Sequence, residues 1–391
     1  DVSFMIADAK SDDKPRGFTH VVFNTDKLAA SLWNNVLLDS DRIRVQTTED
    51  GDRKECRASC GAWTWREIES ETVEMPVAYV VLASDANSDG TVDWQDGAIA
   101  YRGIEPAPQR SDMVKQRVLS QIAMNFASQA QHPFLRVLDN VKRVYLWTDG
   151  LGQEVQFKGY QSEGHDSSHP DYGGNVGKRQ GGRDELEFVL RRMQAFNARG
   201  GAHINCTEYY PEARRYSLDL VNTNKPGWAW LDQSYYTDQR YDITSGKLYA
   251  RLDEMKTDLP GLSWVYVDVY FGTGWNAGKL AMKLMRSNWD VYTEFPGLME
   301  RYVTGNHTSQ DWTQRVWGDG RKSRLARFIQ NQTRDVWPHN PLVRGSNNDG
   351  FMGWHGQRDV YNVIRSAFVV NLPAKYLQHF PMMKWTDKRA D

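Results

Sequence analysis

From about residue 115 onward, short apolar runs alternate with amphipathic helical stripes, and this alternation constrains the fold more than any single motif does. Runs at 141–146, 202–206, 262–270 and 289–295 read as strands. Between the last two, Ala277, Leu280, Ala281, Leu284 and Met285 recur at i, i+3, i+4, i+7 and i+8, which gives one buried helical stripe. Residues 183–197 make a second amphipathic helix, with Gly200-Gly201 placed to cap its C-terminus. Strand-helix alternation over about 280 residues predicts a (β/α)8 TIM-type barrel, with a doubly wound open sheet as the alternative. No glycine-rich phosphate loop follows any of these strands, which disfavours the nucleotide-binding version of the open sheet.

Two of the strands carry acids at their carboxyl ends. In 264–270 the three valines share one parity, and Trp264, Tyr266, Asp268 and Tyr270 share the other. In 289–295, Asp290, Tyr292 and Glu294 alternate with Val291, Thr293 and Phe295. Barrel helices cover the branched apolar parity, so Asp268 and Glu294 are expected to point inward at the end where barrel enzymes build their sites. Neighbouring strands lie about 4.8 Å apart. Retaining glycosidases hold two carboxyl groups about 5 to 5.5 Å apart, a separation this pair can meet. A structural role, paired with Arg or Lys, is the competing reading, and Asp149, Glu208 and Asp232 also lie near strand ends or in loops.

The first 84 residues are β-rich, with strands expected at 42–47 and 77–82, and read as part of an accessory β-sandwich. Asp85, Asn87, Asp89, Thr91, Asp93 and Asp96 follow, with Gly90 at the sixth position of the loop. Oxygen side chains at positions 1, 3, 5, 9 and 12 predict an EF-hand-like structural calcium site, its ligands Asp85, Asn87, Asp89, Thr91 and Asp96. Pro106 and Pro108 mark a boundary, so the expected division is 1–84, then 85–110 as calcium loop and linker, then 111–391 as the catalytic barrel.

The formal net charge of -2 removes any global attraction to nucleic acid. The 15 Trp, 18 Tyr and 14 Phe instead supply flat rings for stacking, and without a basic excess sugars are the better partner. No run of about 20 apolar residues is present to span a bilayer. The start at Asp1, with no apolar targeting segment, is the pattern expected of a mature or excised product. Three cysteines, Cys56, Cys60 and Cys206, allow at most one disulfide.

The loop Gly164-His165-Asp166-Ser-Ser-His169-Pro170-Asp171-Tyr172 gathers imidazoles and carboxylates. It lacks the helical His-x-x-x-His spacing of zinc sites, so hydrogen bonding to sugar hydroxyls is the favoured role. Trp228 and Trp230, after the Pro226-Gly227 turn, read as a sugar-stacking wall.

Six ordered segments resemble glycoside hydrolase family 101, the endo-α-N-acetylgalactosaminidases. They are 92–102, Gly164-His-Asp-Ser-Ser-His-Pro-Asp-Tyr-Gly173, Gly227-Trp-Ala-Trp-Leu-Asp-Gln233, Tyr266-Val-Asp-Val-Tyr270, Thr293-Glu294 and Gln378-His-Phe380. The resemblance covers about residues 85–391. It implies a secreted or cell-surface bacterial retaining enzyme that removes Galβ1,3GalNAc whole from Ser or Thr of mucin-type O-glycoproteins. It further implies Asp268 as nucleophile, Glu294 as acid/base, and substrate contacts from His165, Asp166, Asn224, Trp228, Trp230 and Gln378. Phe295-Pro296 stands where the family usually has Trp and Gly, and 271–276 is shorter than expected, so the glycan accepted stays open. A catalytically silent carbohydrate-binding protein and a barrel α-glycosidase acting on another α-linked sugar are the alternatives.

Overall fold

A computed structural model of the chain describes residues 16–391 apart from 19, 37–42, 61–62, 64–65, 67–73, 128, 230, 271, 273, 295–296, 306–323, 336–349, 352–359 and 387. Strands β1 (Arg16–Phe18), β2 (Val21–Asn24), β3 (Ala29–Asn34), β4 (Ile43–Asp50), β5 (Arg53–Cys60) and β6 (Ala78–Ala83) form two antiparallel sheets, ordered β1-β4-β5 and β2-β3-β6. Period-2 alternation explains the burial: Ile43 and Val45 of β4 pack with Val21 and Leu32 of the other sheet. Both strands expected in this part are present, as β4 and β6.

Helix α1 (Trp94–Tyr101) follows the 85–93 loop and starts on a capping box, Asp93 and Asp96 each accepting a backbone N–H of the other's turn. Its Ala98 and Tyr101 share a core with Val22 of β2, Leu325 and Phe328, and Met382 and Trp385 near the C-terminus. The segment therefore joins the β part to the rest of the molecule.

Beyond it run β7 (Arg117–Met124), α2 (Phe134–Trp147), β8 (Gly152–Lys158), α3 (Gly182–Arg192), β9 (Ala198–Asn205), β10 (Glu208–Tyr209), β11 (Val221–Ala229), β12 (Gln233–Thr237), α4 (Gln239–Thr244), α5 (Lys247–Asp258), β13 (Trp264–Asp268), α6 (Gly274–Arg286), β14 (Asp290–Thr293), α7 (Arg324–Gln330), β15 (Gly350–Phe351), α8 (Val360–Arg365) and α9 (Leu372–Leu377). Six of these strands make one all-parallel sheet ordered β14-β13-β9-β8-β7-β15. The fold is mixed α/β, with helices covering a parallel sheet. Among the described residues, the last strand, β15, lies beside β7, the first of this part.

The two faces of the sheet separate as the parity predicts. Val265, Val267 and Val291 join Leu280 and Leu284 of α6 in the main core, while Trp264, Tyr266 and Tyr292 form a cluster of their own. Gly201 makes room for that cluster, because a Cβ there would lie 2.0 Å from the Trp264 ring.

Two expectations fail. Residues 141–146 belong to α2, because Phe134, Val137, Leu138, Val141 and Val144 bury one face at helical spacing. Gly200-Gly201 sit inside β9; the turn after α3 is instead closed by Asn197 in the left-handed region, at φ +50°.

Candidate active site at the carboxyl ends of the parallel strands

Asp268 ends β13 and Glu294 follows β14. The strands pair in register from Trp264 with Asp290 to Val267 with Thr293, which makes Asp268 and Glu294 the next facing positions. The Glu294 N–H donates to the Val267 carbonyl at 3.2 Å, so the ladder continues to the acids themselves. Both side chains are mostly buried.

Beside β13, β9 contributes His203, paired with Tyr266. Its Nε2 lies 3.3 Å from Oδ2 of Asp268, and its ring stacks on Tyr266 at 5.6 Å and 23°. The loop after β8 brings in His165, Asp166 and His169. Gly159 allows this, because a Cβ there would strike the Asn125 carbonyl and the His165 amide, which hydrogen-bond to each other at 2.8 Å. Nδ1 of His165 lies 3.0 Å from Oδ1 of Asp166, and Nε2 of His169 4.0 Å from the same oxygen. His165 and His203 meet edge to face at 5.2 Å.

These groups set one another's protonation. Burial would raise the Asp268 carboxyl, but Lys158 at the end of β8, together with His203 and His165, outweighs it and holds Asp268 well below the usual carboxylate range. Asp166 goes the other way, raised by burial and by the Asp268 charge. Burial pushes the His165, His169 and His203 imidazoles down, His169 to about 3, so at neutral pH all three are uncharged.

The site's roof is the small sheet ordered β10-β12-β11. Thr207 Oγ1 donates to the Val269 carbonyl at 2.7 Å, and the Thr237 N–H of β12 donates to the Thr207 carbonyl at 2.9 Å, which fixes this sheet to the end of β13. Val269, directly after Asp268, has φ +40°, a region a β-branched residue rarely enters. The Tyr210 N–H donates to the His169 carbonyl at 2.9 Å and ties the sheet to the imidazole loop. Trp228 rides on β11 with 54% of its surface exposed, and its N–H is held by Glu208 at 2.8 Å. Glu208 also accepts from Ser234, so this acid anchors the hairpin. Asn224 is exposed on β11, and Trp230 lies outside the described residues.

Gln378 stands apart from this group. It is buried after α9 and donates its amide to Arg334 O and to Asp335 Oδ1, both at 3.2 Å. Sequence reasoning missed His203, Lys158 and Tyr210. The parity rule applied to β9 finds the first, because Ala202 and Ile204 join the helical core and His203 faces the other way.

Among the described residues, one group of three His, Cys, Asp or Glu side chains brings its ligand atoms within 4.8 Å of one another: His165, Asp166 and His203. The 85–96 acids do not converge in this way. Asp85 accepts from the N–H groups of Asp89 and Gly90, and Asp96 from those of Ala86, Asn87 and Asp93. Thr91 donates its N–H to Asp89, whose other oxygen meets the Lys384 ammonium at 2.5 Å. Asn87 donates to the Met383 carbonyl. The loop is wound around oxygen atoms, with Gly90 at φ +84°, and those atoms presently serve its own backbone and the C-terminal segment.

The glycoside hydrolase family 101 profile, described as endo-alpha-N-acetylgalactosaminidase, matches residues 95–364, and a galactose mutarotase-like fold domain matches 1–94. A Renibacterium salmoninarum protein provisionally named endo-alpha-N-acetylgalactosaminidase is 41% identical over 387 residues, covering 94% of this chain and 26% of that protein. The chain thus spans about a quarter of that relative's length. Among solved structures, the alpha-N-acetylgalactosaminidase NagBb from Bifidobacterium bifidum in its GalNAc complex aligns with a TM-score of 0.56 at 12% identity, over 94% of this chain and 68% of that one. The GH36 alpha-galactosidase AgaB from Geobacillus stearothermophilus aligns at 0.50 and 12% identity, over 93% and 56%. At such identities the likeness is one of fold.

Proposed function

Because this chain belongs to glycoside hydrolase family 101, the endo-alpha-N-acetylgalactosaminidases, we propose that it is a retaining glycosidase with Asp268 as nucleophile and Glu294 as acid/base. The observation that carries this reading is the β13–β14 register, which makes the two acids neighbours across adjacent strands about 4.8 Å apart. That spacing favours the retaining geometry over the wider inverting one.

In the first step an Asp268 oxygen attacks the anomeric carbon, the bond to the Ser or Thr oxygen breaks, and Glu294 gives its proton to that oxygen. In the second, Glu294 takes a proton from water as the water oxygen attacks the same carbon and releases Asp268. The Lys158 charge keeps Asp268 ionised for the attack. His165 and Asp166 offer a donor and an acceptor to sugar hydroxyls, and the exposed Trp228 indole offers a stacking face. The substrate class we assign is Galβ1,3GalNAc on mucin-type glycoproteins outside the cell, supported by family membership; among the described residues no helix is long and apolar enough to cross a membrane.

The same proposal includes closure of the parallel sheet as a (β/α)8 barrel. Beyond β14, Thr304 donates to Val291 O at 2.8 Å and Gly305 bridges Tyr292 in parallel. Asp335 in turn donates to Thr304 O at 2.9 Å, and β15 sits against β7. Positions near 304 and 335 thus supply the two places missing between β14 and β15 in an eightfold ring. We also assign calcium to the 85–96 loop on its ligand spacing; the ion would draw Asp85, Asn87, Asp89, Thr91 and Asp96 together and take over the charge that Lys384 now meets at Asp89.

Incubation with a glycopeptide carrying Galβ1,3GalNAc tests the function. Release of the intact disaccharide is expected. Release of free galactose would mean that the β1,3 bond is cut instead, an untouched glycopeptide with turnover of a simple α-galactoside would favour an α-glycosidase acting on another α-linked sugar, and binding without any release would leave a carbohydrate-binding protein.

A further inference from the structure

His203 lies beside the proposed nucleophile with no surface exposed, and nothing in the proposed mechanism assigns it a task. Its ring is fixed on three sides: stacked on Tyr266, edge-on to His165 at 5.2 Å, and 5.6 Å from His169. With the ring so held, Nε2 lies 3.3 Å from Oδ2 of Asp268, within ion-pair reach but outside hydrogen-bond geometry, and Nδ1 meets no hydrogen-bonding partner either. A neutral imidazole carries one N–H, and placed on Nε2 that proton faces the Asp268 carboxylate. The contact is at the long end for an N–H···O bond, and such bonds tighten in substrate complexes.

Building on the reading of Asp268 as nucleophile, we propose that His203 is its positioning residue, donating Nε2–H to Oδ2 so that Oδ1 is left to attack the anomeric carbon. Imidazole suits this task better than arginine. A guanidinium would engage both carboxylate oxygens in a fork and block the attack, whereas a single N–H restrains one oxygen and leaves the other free. The neutral state follows from the surroundings: burial, Lys158 on β8 and His165 all oppose a charge on the ring, and Asp268 alone favours one. The other titratable groups facing the cluster are Asp166 and His169 in the same loop, and Tyr266 on β13. Because the donor favours the ionised carboxylate, its loss should move the acidic limb of the pH profile.

The test uses the para-nitrophenyl α-glycoside of Galβ1,3GalNAc and three variants. H203F keeps a ring on Tyr266 and loses the donor; kcat/KM is expected to fall on the order of 10²-fold. The acidic limb of kcat/KM should rise by about one pH unit. H203Q carries an amide N–H at the reach of Nε2 and should restore most of both, while H203N, whose N–H sits at the reach of Nδ1, should not. An H203F enzyme with an unmoved acidic limb, or equal losses in H203Q and H203N, overturns the proposal; the Gln and Asn comparison decides it even if H203F does not fold. D268A separates the two levels of inference. If D268A is inactive and azide restores turnover to a β-glycosyl azide, the nucleophile reading stands whatever happens at His203. If D268A keeps wild-type activity, that reading has failed first.

Discussion

The inward faces of β13 and β14 and of their neighbours carry buried acids at both ends, and the two ends are built differently. At the amino ends, Asp290 is gripped by Arg199 and by Arg110 at 2.7 Å, while Glu154 takes the Tyr292 hydroxyl at 2.8 Å and Arg199 at 3.5 Å. At the carboxyl ends, Asp268 and Asp166 face imidazoles. Asp290 and Glu154 have 0% of their surface exposed, whereas Asp268 keeps 5% and Glu294 8%, enough for a ligand atom to reach them. Burial alone therefore does not distinguish the two ends; the partner does. Guanidinium stays charged and saturates an acid, whereas neutral imidazole orients one and leaves an oxygen open.

The comparison breaks most sharply on activity. E294Q should slow glycopeptide hydrolysis by about 10²- to 10⁴-fold without unfolding the chain. D268N should be at least as damaging, and both are read by single-turnover kinetics alongside thermal melting. At the other end R199M should do the reverse, lowering stability by about 3 kcal/mol by leaving Asp290 and Glu154 short of a partner, with kcat per folded molecule unchanged. Urea unfolding and active-site titration separate the two effects; an R199M enzyme that melts normally but turns over slowly would put chemistry at the wrong end.

Acid distinguishes the ends more gently. The imidazoles are held neutral in the folded chain, and the unfolded chain protonates its histidines near 6.5. The unfolded state thus binds more protons below that value, so stability is full above pH 6.5 and declines as pH falls toward 3. His169 alone should cost about 2 kcal/mol between pH 7 and pH 5, measurable by denaturant titration at each pH. The smallest effect is calcium: at free ion about ten times Kd, stability should rise by about 1.4 kcal/mol over chelator, and D85N should remove that gain.

The acids at the carboxyl ends were legible because β13 and β14 alternate strictly, which leaves Asp268 and Glu294 on the face that valines do not use. Their imidazole partner was not, because Gly200-Gly201 look like a helix stop when their actual task is to let Trp264 lie across β9. Lys158 was hidden for another reason. β8 reads Gly-Gln-Glu-Val-Gln-Phe-Lys, too polar to look like a buried strand until Gln121 on β7 is seen donating to Gln153 and Arg199 meeting Glu154. In α2, Val141 and Val144 with Tyr145 and Leu146 imitate a strand over six positions, and only the longer 134–147 window reveals the helical stripe. Gln378 shows a further limit: its side-chain N–H group donates to Arg334 and Asp335, a contact between distant segments that no local pattern encodes.

The proximity of Asp268 and Glu294 is tested most directly by proton NMR of the first sugar released from the para-nitrophenyl α-glycoside of Galβ1,3GalNAc, recorded before mutarotation. If the two acids act as proposed, as nucleophile and acid/base of a double displacement, the α-anomer should appear first. A β-anomer at the earliest time point would mean a single displacement by water, and with it a different arrangement of acids from the one described.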